Sequence, residues 1–182
     1  MQQSIHGGGL VIDLASGSMR APLLRALSAL FVHRGNWTML VLIRLAQAAH
    51  ASRNRFLGRY AARRLRCEFG SFVQPAAAIG PGLRLPHPNG IVIGGGVRIG
   101  ARCTIFQQVT LGARRAGDGF GEAYPDIGDD VTIFAGAKLI GAVRIGDGAV
   151  IGANAVVVHD VPAGHYAVGV PAKTGPLGGA GS

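Results

Sequence analysis

Ile127-Gly128-Asp129-Asp130-Val131-Thr132, Ile133-Phe134-Ala135-Gly136-Ala137-Lys138, Leu139-Ile140-Gly141-Ala142-Val143-Arg144, Ile145-Gly146-Asp147-Gly148-Ala149-Val150 and Ile151-Gly152-Ala153-Asn154-Ala155-Val156 are consecutive hexapeptides. Each opens on an aliphatic residue and carries Val or Ala at its fifth position. Upstream, Ile79, Ile93, Ile99, Ile105 and Leu111 hold the same phase, with Val97, Cys103 and Val109 as the small partners. The phase runs on through Val157, and Val161 serves again as a small partner. An aliphatic at every sixth residue matches neither the 3.6-residue helical period nor the two-residue strand period. It fits a solenoid of triangular section, with one short strand per hexapeptide and three hexapeptides per coil. The aliphatics then stack in interior columns, and the small residues and glycines fit the tight corners. Successive coils are expected at about 4.8 Å, the strand-to-strand spacing. Residues 68–173 supply about four to five such coils, enough for one continuous core.

Two interruptions break the repeat. Pro86-His87-Pro88-Asn89-Gly90 adds two residues between Leu85 and Ile93, and Ala113 to Pro125 forms a longer excursion before Ile127. A regular solenoid requires neither, and insertions on such scaffolds build binding faces. Ahead of the repeat, residues 19–67 read as two or three helices. Pro22 suits a first turn. Leu23, Leu24, Leu27, Leu30 and Phe31 keep helical spacing, as do Leu40, Ile43, Ala46 and Gln47, while Gly35-Asn36 separates the two groups. Phe56, Tyr60 and Leu65 anchor a third, arginine-rich segment. This region is expected to cap the first coil, whose strand edges would otherwise lie open. Residues 1–18 read as a disordered leader with Met19 as an alternative start, and residues 174–182 as a flexible tail.

Charge is segregated. Residues 19–67 hold ten arginines and no acid, whereas residues 68–182 balance eight basic against eight acidic side chains. The net charge of +9 therefore belongs to the helical region. A second reading of those helices is peripheral contact with an anionic membrane surface. No nucleic-acid motif or basic patch interleaved with aromatics is present, and no nucleic acid partner is expected. The most apolar stretch, Trp37 to Ala49, contains Arg44 and is too short to span a bilayer. No secretory signal is evident. Cys67 and Cys103 support neither a disulfide framework nor a cysteine zinc site, and the pattern suits a reducing cytoplasm. The histidines lack metal-ligand spacing, so no metal is expected.

His87 is the strongest candidate for chemistry. It sits between two prolines in the first interruption, where no core position awaits it. A neutral imidazole near pH 7 serves as a general base. The plainer alternative is a solvated loop histidine.

Residues 69–173 resemble the left-handed β-helix, hexapeptide-repeat acyltransferases, in particular the serine O-acetyltransferase branch and its relatives from exopolysaccharide and colanic-acid gene clusters. The resemblance rests on Gln74 to Gly80, Leu85 to Gly94, Gln108-Val109-Thr110-Leu111-Gly112 and Gly169-Val170-Pro171-Ala172-Lys173. It implies a homotrimer with active sites between subunits and acetyl-CoA as acyl donor. It also implies His87 as the base and Gly112, Ala135, Gly136, Ala153 and Lys173 as CoA contacts. The small residues among them read equally as solenoid corners, and Lys173 as a solvated tail lysine.

Four positions depart from the serine-specific pattern of that family. Phe72 stands where an aspartate orients the base, Pro86 where an acid precedes it, and Ala123-Tyr124 where an Arg-His pair grips the amino acid. A zwitterionic substrate needs charged partners at both ends. The expected acceptor is therefore a saccharide hydroxyl, met by Asn89, Tyr124 and Phe120, with Asp118 or Glu122 substituting as partner for His87. Serine O-acetylation and a non-catalytic assembly module are the alternatives.

Overall fold

A computed structural model of the protein describes residues 36–114 and 124–178. Two helices, α1 (Asn36–Ala51) and α2 (Arg55–Phe69), precede short strands wound into three faces. The front face stacks β1 (Phe72–Val73), β3 (Val92–Ile93), β6 (Thr110–Gly112), β9 (Lys138–Ile140) and β12 (Val156–Val157). The side face stacks β2 (Ala78–Ile79), β4 (Arg98–Ile99), β7 (Asp126–Ile127) and β10 (Arg144–Ile145). The back face stacks β5 (Thr104–Ile105), β8 (Thr132–Ile133), β11 (Val150–Ile151) and β13 (His165–Val168), closed by β14 (Lys173–Pro176). All pairs are parallel except β13 with β14.

The hexapeptide phase fixes the register. Ile93, Leu111, Leu139 and Val157 align on the front face. Ile79, Ile99, Ile127 and Ile145 align on the side face. Ile105, Ile133, Ile151 and Ala167 align on the back face. These columns are buried, as are the small partners Val97, Cys103, Val109, Val131, Ala137, Ala149 and Ala155. Both interruptions are absorbed outside the ladder, since Ile79 still pairs with Ile99 and Ile99 with Ile127. Burial also pushes the Cys103 thiol above its usual pKa, consistent with a packing role.

The ladder is bonded in both directions. Ala78 N donates to Val97 O of the following coil at 3.0 Å and Gly80 N to Ile99 O at 2.8 Å, while Arg102 N donates back to Pro81 O at 2.8 Å and Ile105 N to Arg84 O at 2.9 Å. The first coil has no strand below it, so those of its carbonyls that do not face the second coil need other donors. On the side face, α1 supplies the donors. Arg44 donates to Ile79 O at 2.7 Å and to Gly80 O at 2.5 Å, and Gln47 donates to Ala77 O at 2.9 Å. Met39, Leu42, Ile43 and Ala46 bury the same helix against the core. In α2, Asn54 caps the N-terminus by accepting from Leu57 N, and Gly70 closes the C-terminus at φ +55°. The helix runs to Phe69, two residues beyond the expected boundary at 67. At the far end, residues 174–176, expected within a flexible tail, instead lie in β14 and pair with β13.

Tight corners explain the glycines. At the corner between side and back faces, Gly80, Gly100, Gly128 and Gly146 stack. A Cβ on Gly80 would stand 2.6 Å from the backbone carbonyl group of Gly100. The next turn position takes left-handed backbone even at Arg102 (φ +59°) and Asp130 (φ +56°). Their side chains pair across the coils at 2.6 Å, and the guanidinium holds the Asp130 carboxyl below the usual carboxylate range.

Two glycines separate steric from conformational cost. Gly148 has open space around it but φ +66°, so Gly148→Ala is expected to cost about 1–2 kcal/mol. Gly80→Ala forces backbone against backbone and should exceed that value when both are compared by chemical denaturation. Equal losses would show that the corner relaxes freely.

Candidate functional site

His87 lies on the corner between the back and front faces, just after buried Leu85. The side chain is exposed, and its loop is pinned on both sides. Asn89 N donates to His87 O at 2.9 Å, and Gly90 N donates to Phe69 O at the end of α2 at 2.8 Å. From the next coil, Gln108 N donates to Asn89 O at 2.8 Å. The interruption is thus a fixed turn, clamped between the helical cap and the second coil.

Aromatic rings continue this corner upward. The His87 ring lies 6.0 Å from the Phe106 ring at 49°, and Phe106 stacks on Phe134 at 5.1 Å and 16°. Phe106 and Phe134 follow the stacked Ile105 and Ile133. In the same phase, positions 80, 94, 100, 112, 128, 146 and 152 are all glycine. Aromatic residues in that phase therefore occur only on the corner that carries His87. The sequence reading missed this pair, although the break in the glycine pattern was the available signal.

Other candidates divide between corners. Ala135, Gly136 and Ala153 share the histidine's corner, where Gly136 N donates to Gln107 O and Asn154 N to Ala135 O, both at 2.9 Å. Ala153 is exposed there. Lys138, also overlooked in the sequence, reaches this corner from β9. Its ammonium donates to Gln108 O and Gly136 O, both at 2.8 Å, and ties two coils together. Gln107 Oε1 is buried there without a hydrogen-bond partner among the described residues. Gly112 ends β6 at the front–side corner and accepts from Gly141 N. Lys173 opens β14, exposed and paired in register with Val168.

Tyr124 is also at the front–side corner. Its ring covers Gly94 and Gly96 so closely that a Cβ on either would clash with it, at 2.4 Å, and it packs against the core. Within one protomer it therefore occupies a different corner from His87. Asp118, Phe120 and Glu122 lie outside the described residues. Phe72 is half-exposed on β1, at the base of the front face. Among the described residues the His87 imidazole has no hydrogen-bond partner, and no cluster of side chains could hold a metal ion.

A triangular parallel β-helix of hexapeptides, with a histidine displayed on one corner, defines the class of hexapeptide transferases. Residues 124–159 match the family described as "Bacterial transferase hexapeptide (six repeats)". Serine acetyltransferase of Helicobacter pylori is 41% identical over 150 residues, covering 78% of this chain and 86% of that protein. Serine acetyltransferase of Bacillus subtilis is 39% identical over 130 residues, covering 71% of this chain and 59% of the relative. Among solved structures, the serine acetyltransferase of Neisseria gonorrhoeae superposes with a TM-score of 0.73 at 35% identity, over 86% of this chain and 59% of that one. A serine acetyltransferase solved in complex with CoA superposes with a TM-score of 0.71 at 30% identity, over 86% of this chain and 64% of that one. The chain belongs to the serine acetyltransferase family, and its β-helix is left-handed.

These relatives correct the expected acceptor. The saccharide reading, and with it the closeness to exopolysaccharide and colanic-acid acetyltransferases, rested on Phe72, Pro86 and Ala123-Tyr124 taken singly. The likeness to proteins named for serine extends over 150 residues and outweighs those few positions. A motif position reports one contact, whereas a framework shared over that length reports the arrangement of the whole groove.

The ring stack makes a checkable statement about His87. Its imidazole C–H resonances, in selectively labelled protein, should carry a ring-current shift from Phe106. Phe106→Leu should move them toward random-coil positions. Resonances that stay in place would show that the two rings do not associate in solution.

Proposed function

We propose that the protein is an acetyl-CoA-dependent serine O-acetyltransferase, acting in the cytoplasm as a homotrimer. The observation that carries this reading is the 41% identity to a serine acetyltransferase across 86% of that protein. In the proposed reaction His87 removes the proton from the serine hydroxyl, and the oxygen attacks the thioester carbonyl of acetyl-CoA. The tetrahedral intermediate collapses with loss of the CoA thiolate, which takes back the proton from the imidazolium. The products are O-acetylserine and CoA, without a covalent enzyme intermediate.

The back–front corner suits this chemistry. It presents an exposed imidazole on a rigid turn, with apolar rings above it that exclude water from one side of the groove. Ala135, Gly136 and Ala153 leave little side-chain bulk along the same edge, which favours close approach of the extended CoA arm. We assign Gly112 and Lys173 to further CoA contacts reached elsewhere along the solenoid. Backbone N–H groups are the donors proposed for the oxyanion. Because His87 has no partner among the described residues, we assign its orientation to Asp118 or Glu122, from the long excursion of this or a neighbouring subunit. Asn89, Tyr124 and Phe120 remain the proposed acceptor contacts, with Tyr124 supplied across a subunit boundary.

Thiol release from acetyl-CoA should depend on L-serine, and His87→Ala should lower it by about 10²–10⁴-fold. Serine-independent release, or full activity in His87→Ala, would overturn the assignment.

A further inference from the structure

We propose that the outer face of α2 is a docking surface for an anionic lipid membrane. Arg55, Arg59 and Arg63 recur at four-residue spacing, and Arg66 lies on the same side one turn further on. All four are exposed, and none has an ion-pair partner among the described residues. Phe56 stands among them with 85% of its surface open to solvent. The opposite side of the helix is occupied, because Ala61, Leu65 and Phe69 are buried. Arg64 is turned away from this face, hydrogen-bonding Glu68 at 2.7 Å and Tyr60 at 3.0 Å. Among the described residues, two of the solenoid's arginines are ion-paired, whereas Arg84 and Arg144 are exposed without an ion pair. Arg98 and Arg102 are paired with Asp126, Asp129 and Asp130.

Charge decides the kind of partner. Between residues 14 and 117 the only acid is Glu68, so neighbouring sequence offers almost nothing to neutralise this face. A second copy would bring the same four guanidinium groups and be repelled. An anionic surface is complementary. The convex single-helix shape, with a bare aromatic ring among the arginines, matches an element lying in the headgroup plane rather than one seated in a protein groove. No helix among the described residues is long and apolar enough to cross a membrane, so the attachment is peripheral. In a threefold assembly the three copies of α2 lie at the same height along the axis, and where their arginine faces point along it they engage one surface together, multiplying weak single contacts.

The proposal stands whatever the acceptor is, and its test reads binding, not turnover. Full-length protein is sedimented with sucrose-loaded vesicles of phosphatidylcholine alone or of phosphatidylcholine with one-quarter phosphatidylglycerol. Binding should be at least about tenfold tighter to the anionic vesicles and should fall steeply with added salt. The double variant Arg59→Glu/Arg63→Glu should lose it while keeping its circular dichroism spectrum and serine-dependent thiol release. Phe56→Ser should weaken binding to both vesicle types. Should charge reversal fail to fold, Arg59→Gln/Arg63→Gln reports the same loss more mildly. Absence of binding to anionic vesicles would overturn the proposal and leave an acidic protein as the partner of this face. Binding that persists in folded charge variants would place the contact elsewhere in the chain.

Discussion

Successive coils are tied by parallel hydrogen bonds that run in both directions, and the rest of the molecule is arranged around that ladder. Parallel stacking in register leaves one row of polar groups orphaned at each end, and burying them unpaired is costly. At the start, Arg44 and Gln47 of α1 meet the open carbonyls of the side face. At the finish, the chain doubles back as β14 and pairs with the last back-face strand. The helices are thus the lower terminus of the sheet as much as a separate unit. An arginine embedded in an otherwise apolar helix, which could suggest a membrane contact, is here a hydrogen-bond donor to the solenoid.

The three corners then diverge because each meets a different constraint. At the side–back corner, stacked glycines let backbone approach backbone with no room for a Cβ. At the front–side corner the long excursion leaves the ladder, and Tyr124 returns to seal Gly94 and Gly96. The back–front corner displays rings, and there His87, Phe106 and Phe134 form a continuous edge. The lower loop of that edge is fixed by Phe69 and Gln108, so the imidazole is held by both cap and coil. A protein that must bring a general base and an extended donor together gains from such an edge, since positioning is supplied by the scaffold before substrate arrives.

The fold was legible in the sequence because one residue in six is dictated by stacking alone. Ile93, Leu111, Leu139 and Val157 have no freedom once the register is set, and neither do their small partners. The position of His87 on an interruption was legible for the converse reason, as an element the repeat does not need. Phe106 and Phe134 were not read, because within a single hexapeptide each looks like a tolerated exchange for glycine. Their alignment is visible only when coils are stacked. Lys138 was hidden likewise, its role set by carbonyls from two different coils. The acceptor was misjudged because four exchanged motif positions were weighed as if each acted alone. The residues that complete an intersubunit groove are spread over several segments, and no short motif represents them all.

The central claim is that the back–front corner is where donor and acceptor meet. A crystal structure with CoA and L-serine bound tests it most directly. The account predicts the thiol end of CoA beside Phe106 and the serine hydroxyl within about 3 Å of the His87 imidazole. CoA bound along either of the other two corners, or serine held away from His87, would contradict it.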